Sequence, residues 1–240
     1  MITPGEINHN YQLVMERIIQ VSLTTGREPG NIRLIVVTKT HPVEVIKELT
    51  LLGVHHIGES YVNEGIPKIM ALSDQAEIVW HMVGHVQSRK AHQVCDHFDY
   101  LHSLDNLKLA RLLNRFAEEK GRVLPVLLEC NVSGEHSKYG WPIWSDADWE
   151  SLYPVLEEVL SLPYVDIKGL MTIAPFLPNA EDTRPFFKRL REFRDFLSRR
   201  FPKAKLDDLS MGMSGDYEVA IQEGATWIRI GQAILGPRER

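Results

Sequence analysis

Cysteine is scarce: among 240 residues only Cys95 and Cys130 carry thiols. They lie far apart and show neither metal-ligand nor redox spacing, which excludes a disulfide scaffold and fits a reducing, cytoplasmic setting. Long apolar runs are also missing, and nothing approaches the roughly 18 residues of a membrane span. The opening Met1-Ile2-Thr3-Pro4-Gly5-Glu6 lacks the basic-then-apolar order of a signal peptide. There is no basic excess. A net charge of −5 gives no whole-surface attraction to nucleic acid or anionic membrane. A Gly-rich dinucleotide turn, internal repeats, low-complexity tracts and a linker are absent, so residues 1–240 read as one domain. Ten histidines are present, but His81 and His85 straddle a strand end instead of sharing a helix face, and no metal site is expected.

What is present is an alternation. A first helix is marked by Ile7, Tyr11, Val14, Ile18 and Val21 at helical spacing, with Gly26 as its stop. Apolar runs follow at Ile32–Thr38, Val54–Gly58, Ile78–Val83, Tyr100–Ser103, Leu124–Val132, Val165–Met171, Leu206–Met211 and Trp227–Ile230. Runs apolar on both faces, separated by helix-length segments, suit a parallel sheet. Pro42 suits the first turn of a helix, while Leu109, Leu112, Leu113 and Phe116 form one apolar face and Phe186, Leu190, Phe193 and Leu197 another. The basic run Lys188, Arg189, Arg191 and Arg194 falls on the solvated side of that second helix. Eight strands and no dinucleotide turn favour an α/β fold closed as a (β/α)8 TIM barrel over an open doubly wound sheet. Little chain remains for a final helix, so the N-terminal helix is expected to fill that gap in the outer ring.

Barrel chemistry gathers at the carboxyl ends of the strands. Lys39 stands there after Ile35-Val36-Val37-Thr38. An amine in a partly desolvated pocket loses some preference for its charged form and can attack a carbonyl, although position alone also fits a solvated lysine. Opposite it, the turns Ser210-Met211-Gly212-Met213-Ser214-Gly215 and Arg229-Ile230-Gly231-Gln232-Ala233 follow the seventh and eighth strands. Small residues there let backbone N–H groups approach an anion, and barrels frequently bind phosphate at this position. Taken singly, each turn also reads as plain turn chemistry. A lysine, a paired phosphate cradle and Arg229 at the mouth together suggest pyridoxal 5'-phosphate (PLP), its aldehyde on Lys39, its phosphate near Ser214 and Gly231, its ring nitrogen facing Arg229.

An ordered set of motifs then resembles the pyridoxal-phosphate homeostasis protein family, relatives of the barrel domain of bacterial alanine racemases. The matching segments are Val36–Thr40, Gly58-Glu59-Ser60-Tyr61-Val62-Asn63-Glu64, Trp80-His81-Met82-Val83-Gly84-His85-Val86-Gln87-Ser88, Lys138-Tyr139-Gly140, Gly169-Leu170-Met171, Ser210–Ser214 and Arg229-Ile230-Gly231. The resemblance implies a barrel of the alanine racemase N-terminal type with PLP as an imine on Lys39. It implies phosphate contacts from Met213, Ser214, Gly231 and Gln232, and Arg229 at the pyridine nitrogen. Ser60, His81, Asn131, Met171 and Ser210 complete the expected cofactor-binding set. Many relatives carry Asn at the position of Ser60, and Thr or Ser at that of Gln232. The second difference removes a hydroxyl from the phosphate turn but not its backbone N–H.

The same residues bear on turnover. Arginine does not readily give up a proton, so Arg229 should leave the ring nitrogen unprotonated and the cofactor a weak electron sink. In the alanine racemases the second base is a tyrosine on an additional β domain, and this sequence carries no counterpart. The expectation is a carrier with no catalytic residue, holding PLP exchangeably in amino-acid and keto-acid balance, with PLP-dependent apo-enzymes or a regulatory protein as partners. Three alternatives stay open: an amino-acid racemase using Tyr61 or His81, a Schiff-base aldolase on Lys39, and a protein-binding module presenting Trp141, Trp144 and Trp149. Packing of that long loop on the barrel is the favoured explanation of the tryptophans. No surplus apolar face is evident, so a monomer is expected.

Overall fold

In the computed structural model the described residues run from 2 to 237; Met1 and residues 238–240, the outer edges of the 1–240 unit, lie outside them. Each expected apolar run forms a strand. These are β1 (Arg33–Val37), β2 (His56–Glu59), β3 (Val79–Met82), β4 (Tyr100–Leu104), β5 (Leu124–Asn131), β6 (Val165–Met171), β7 (Asp208–Ser210) and β8 (Trp227–Ile230). Neighbours in chain order pair parallel throughout. β8 returns to β1, with Arg33 opposite Trp227 and Val36 opposite Ile230, so the sheet closes into a (β/α)8 barrel.

The helices are α1 (Pro4–Thr24), α2 (Val43–Leu51), α3 (Val62–Ala71), α4 (Ala91–His97), α5 (Leu107–Glu119), α6 (Tyr153–Leu160), α7 (Arg184–Arg200), α8 (Tyr217–Gln222) and α9 (Gln232–Leu235). α1 starts on a capping box: the Thr3 hydroxyl accepts from the Glu6 N–H, and the Glu6 carboxylate accepts from the Thr3 N–H. α9 is a single turn, and α1 packs against α9, α8 and α2, completing the ring as expected. Asn10 Nδ2 donates to the Ile234 carbonyl at 3.1 Å, and Arg27 donates to the Ile221 carbonyl at 2.7 Å. No helix among the described residues is long and apolar enough to cross a membrane.

Three local features differ from the sequence pattern. Pro42 caps α2 from outside its first turn. On α7 it is Phe187 that is fully buried with Leu190, Phe193 and Leu197, while Phe186 packs only partly, because the stripe is rotated toward the preceding position. Each such buried side chain contributes about 1.5–3 kcal/mol. A two-residue strand, Trp141–Pro142, pairs with Cys130 and Asn131 outside the barrel ring. The indoles of Trp141 and Trp149 are buried and donate to the Leu104 and Ile143 carbonyls, fastening the loop after β5 to the barrel, whereas Trp144 stays half exposed.

At the amino ends of the strands the barrel is closed by a polar, aromatic floor. Asp208 pairs with Arg33 and accepts from the Tyr100 hydroxyl at 3.0 Å and the Thr226 hydroxyl at 3.2 Å. The Arg33 guanidinium lies 3.8 Å over the Trp227 ring, against which His56 and Tyr100 also pack.

Candidate cofactor site

At the opposite end, a cavity of about 370 Å³ opens between the β1, β6, β7 and β8 loops. Of the expected residues, Lys39, Ser60, Met213, Ser214, Arg229, Gly231 and Gln232 line it, joined by Val37, Val83 and the apolar rim of Ile173, Pro175, Phe176 and Leu177.

Lys39 is set by its two neighbours. The Thr38 hydroxyl donates to Glu59 Oε1 at 2.6 Å, and the Thr38 carbonyl accepts from Lys68 Nζ at 2.9 Å. Lys68 also reaches Glu59 at 2.8 Å and Glu64 at 2.7 Å, and the Thr40 N–H donates to Glu64. Thr40 has φ +67°, the one non-glycine residue with positive φ among the described residues, a conformation that costs on the order of 1 kcal/mol. A buried ionic cluster thus grips both sides of the lysine and holds a backbone turn it would not choose alone. Burial pushes the Glu59 carboxyl up, with Lys68 opposing. Sequence reading assigned no role to Glu59, Glu64 or Lys68. One signal was available: Lys68 is a cation on the buried face of α3, four residues after Glu64.

Across the cavity the two small-residue turns are tied together, because Ser214 Oγ accepts from the Ala233 N–H at 3.1 Å. Gly212 has φ +93°, and a Cβ there would lie 2.6 Å from the Ala220 side chain; a Cβ at Gly231 would lie 3.1 Å from the Val37 carbonyl oxygen. The Met213 N–H is spent on Asp216 Oδ1 at 2.6 Å. The amides of Ser214, Gly215 and Gln232 bond to no other described residue, so they remain available to an anion.

Arg229 forms the cavity's inner end and is 4% exposed. It donates to Ser210 Oγ at 2.7 Å and to the Thr172 carbonyl at 2.9 Å. Burial pulls the guanidinium down to about 10, against the pull of Asp216 and Glu129, so it is a cation at neutral pH.

Four expected contacts are not on the cavity wall. Ser210 is one bond behind Arg229, and His81 lies deeper still. Met171 is fully buried at the end of β6. Asn131 turns away into the next loop: its carbonyl oxygen accepts from the Ser133 and Gly134 N–H groups, and its amide donates to the Glu135 carbonyl. Strand alternation and the β5 loop, not distance along the chain, separate these four from the wall. Tyr61, the other candidate base, is exposed and outside the cavity lining.

His81 belongs to an arrangement invisible in the sequence. His56 Nδ1 meets His81 Nε2 at 3.0 Å, His81 Nδ1 meets His102 Nε2 at 2.9 Å, and His102 Nδ1 meets Ser210 Oγ at 2.9 Å. Burial lowers the proton affinity of all three rings, most for His81 and His102, keeping them neutral. Arg229 only donates, so Ser210 accepts from it and can donate onward to His102 Nδ1. Each ring then carries its proton on Nε2, and one directed chain of hydrogen-bond donations runs from Arg229 down to His56 at the floor.

Residues 2–239 match the family model for the alanine racemase N-terminal domain. The chain is 42% identical over 226 residues to the pyridoxal phosphate homeostasis protein of Aquifex aeolicus (strain VF5), covering 94% of this chain and 96% of that protein. It is 36% identical over 239 residues to the protein of the same name in Escherichia coli (strain K12), covering 98% of each. The solved structure of PipY from Synechococcus elongatus PCC7942 with PLP bound is similar at a TM-score of 0.81 and 37% identity, over 93% of this chain and 100% of that one. An alanine racemase of Clostridium difficile 630 shares the fold alone, at a TM-score of 0.69 and 15% identity, with this chain spanning 58% of its length.

Proposed function

We propose that this chain, which belongs to the pyridoxal phosphate homeostasis protein family, holds PLP exchangeably at Lys39 and buffers or delivers it in the cell. The observation that carries this reading is the single cavity uniting Lys39, Arg229 and both small-residue turns. The residues fit the group: a primary amine on one wall, uncommitted amides opposite, and a buried cation at the inner end. Bound PLP supplies an aldehyde that condenses reversibly with an amine. Lys39 would hold that aldehyde, the Ser214, Gly215 and Gln232 amides would hold the phosphate, and Arg229 would face the ring nitrogen.

Arg229 favours holding over turnover only together with the second base: racemases tolerate such an arginine but need that base, and neither expected candidate, Tyr61 or His81, lines the cavity. The cationic donors of Arg229 keep a proton off the ring nitrogen, which weakens the electron sink that racemisation uses. Ser210 and the Thr172 carbonyl hold Arg229 from behind, with the histidine chain backing Ser210, and Asn131 shapes the neighbouring loop. The same reading puts the protein in the cytoplasm, where its buried free thiols Cys95 and Cys130 suit the redox poise. It acts as a monomer that passes PLP to apo-enzymes or answers to a regulatory protein.

Protein purified with PLP should be yellow, and borohydride should fix the cofactor on Lys39. Lys39→Ala should abolish that fixation and lower PLP retention by at least roughly tenfold. A variant that stays yellow and fixable at the same site, or wild-type protein that racemises a common amino acid at an ordinary enzymatic rate, would overturn the proposal.

A further inference from the structure

Beside the cofactor cavity lies a smaller chamber of about 180 Å³, and Ile173 forms part of the wall of both. Glu129, near the end of β5, lines this chamber with Lys138 and Tyr139. Glu129 is only 7% exposed. Oε2 is shut off from solvent and accepts no hydrogen bond from a described residue, and Oε1, which also has no bond from one, is the oxygen a ligand in the chamber could reach. Native proteins rarely leave such a group unsatisfied, because burying it without a donor is costly. Lys138, on the same chamber wall, spends two of its three ammonium donors, on Glu135 at 2.6 Å and on the Ile173 carbonyl at 3.2 Å. A chamber wall that carries both an unsatisfied carboxyl and a cation with a donor to spare matches a zwitterion.

We propose that this chamber is a subsite for a small α-amino acid, its ammonium group on Glu129 and its carboxylate on Lys138. The acid repels phosphate and other simple anions, and one carboxylate is too few ligands for a metal ion. Burial first, then Asp105, pushes the Glu129 carboxyl up to about 7, while Arg229 opposes. Asp105 is itself held by His85 at 2.9 Å, which leaves Arg229 and Lys138 as the cations facing Glu129. An arriving ammonium group would favour the ionised acid, so binding would release a proton below neutrality. The inference deepens the homeostasis reading by placing an amine next to the cofactor, but its test does not depend on that reading.

The test is calorimetric titration with L-alanine, ethylamine and acetate. It uses two forms: protein loaded with PLP and fixed by borohydride, so that amines cannot exchange at Lys39, and cofactor-free protein. L-alanine should bind both forms saturably, ethylamine more weakly, and acetate not at all. Glu129→Gln, which keeps the volume, should weaken L-alanine by roughly tenfold or more. Lys138→Met should weaken L-alanine but leave ethylamine unchanged. Wild-type affinity for L-alanine should fall by up to about tenfold for each pH unit below neutrality, and Glu129→Gln should flatten that dependence. Unchanged affinity in Glu129→Gln, absence of saturable binding to both forms, or equal binding of ethylamine and L-alanine would overturn the subsite. Failure of the cofactor reading would look different: borohydride would fix nothing, while L-alanine binding to cofactor-free protein would stand.

Discussion

The floor and the mouth of this barrel are built on the same eight strands, yet they treat polar groups in opposite ways. On the floor, Asp208 gathers three donors, from Arg33, Tyr100 and Thr226, and three imidazoles pass hydrogen bonds along a line; the Trp227 Nε1–H is the buried donor left over. At the mouth, Glu59 Oε2 and the Glu129 carboxyl lack donors, Thr40 is strained, and several amides are uncommitted. Satisfied groups secure the fold; among those left open, the amides of Ser214, Gly215 and Gln232 belong to cavity-lining residues and are available to whatever enters.

The largest test of that contrast is Lys68→Met. Removing the ammonium leaves Glu59 and Glu64 facing each other without their cation, and breaking such a buried pair costs about 3–5 kcal/mol. Chemical denaturation should show that loss, and PLP retention should fall with it because Thr38 and Thr40 lose their ties. Next is Glu129→Gln as a probe of stability. A carboxyl raised from 4.5 to about 7 on folding stabilises below the lower value and withdraws that contribution as pH climbs through the upper one. Wild type should therefore lose about 3 kcal/mol across that window and the variant should not, as read from unfolding midpoints at several pH values. The smallest effect is expected on the floor. Tyr100→Phe deletes one of three donors to Asp208, should cost about 1 kcal/mol, and should leave PLP affinity unchanged. A change in PLP affinity would mean that floor and mouth are coupled through the histidine line.

How much of this was written in the sequence depended on range. The eight strands were readable because short apolar runs separated by helix-length segments are local signals, and Lys39 and the two turns follow from where strands stop. The histidine line was not readable. His56, His81 and His102 sit on three successive strands, and only the register, with His56 opposite Val79 and His81 opposite Tyr100, brings their rings together. Asn131 was misplaced for a related reason: it ends a strand at the right height, but the following loop offers its side chain four closer partners. Phe186 and Phe187 differ by one position, finer than a periodic pattern resolves on a helix with both.

The bond from Asn10 to Ile234 bridges 224 residues, and it has a consequence for birth on the ribosome. At ordinary synthesis rates the apolar stripe of the first helix waits on the order of ten to forty seconds before the last part of its docking site, α9, exists. Through that interval Ile7, Val14, Ile18 and Val21 are a sticky nascent surface. Shielding that stripe until α8 and α9 emerge would limit aggregation of the nascent chain.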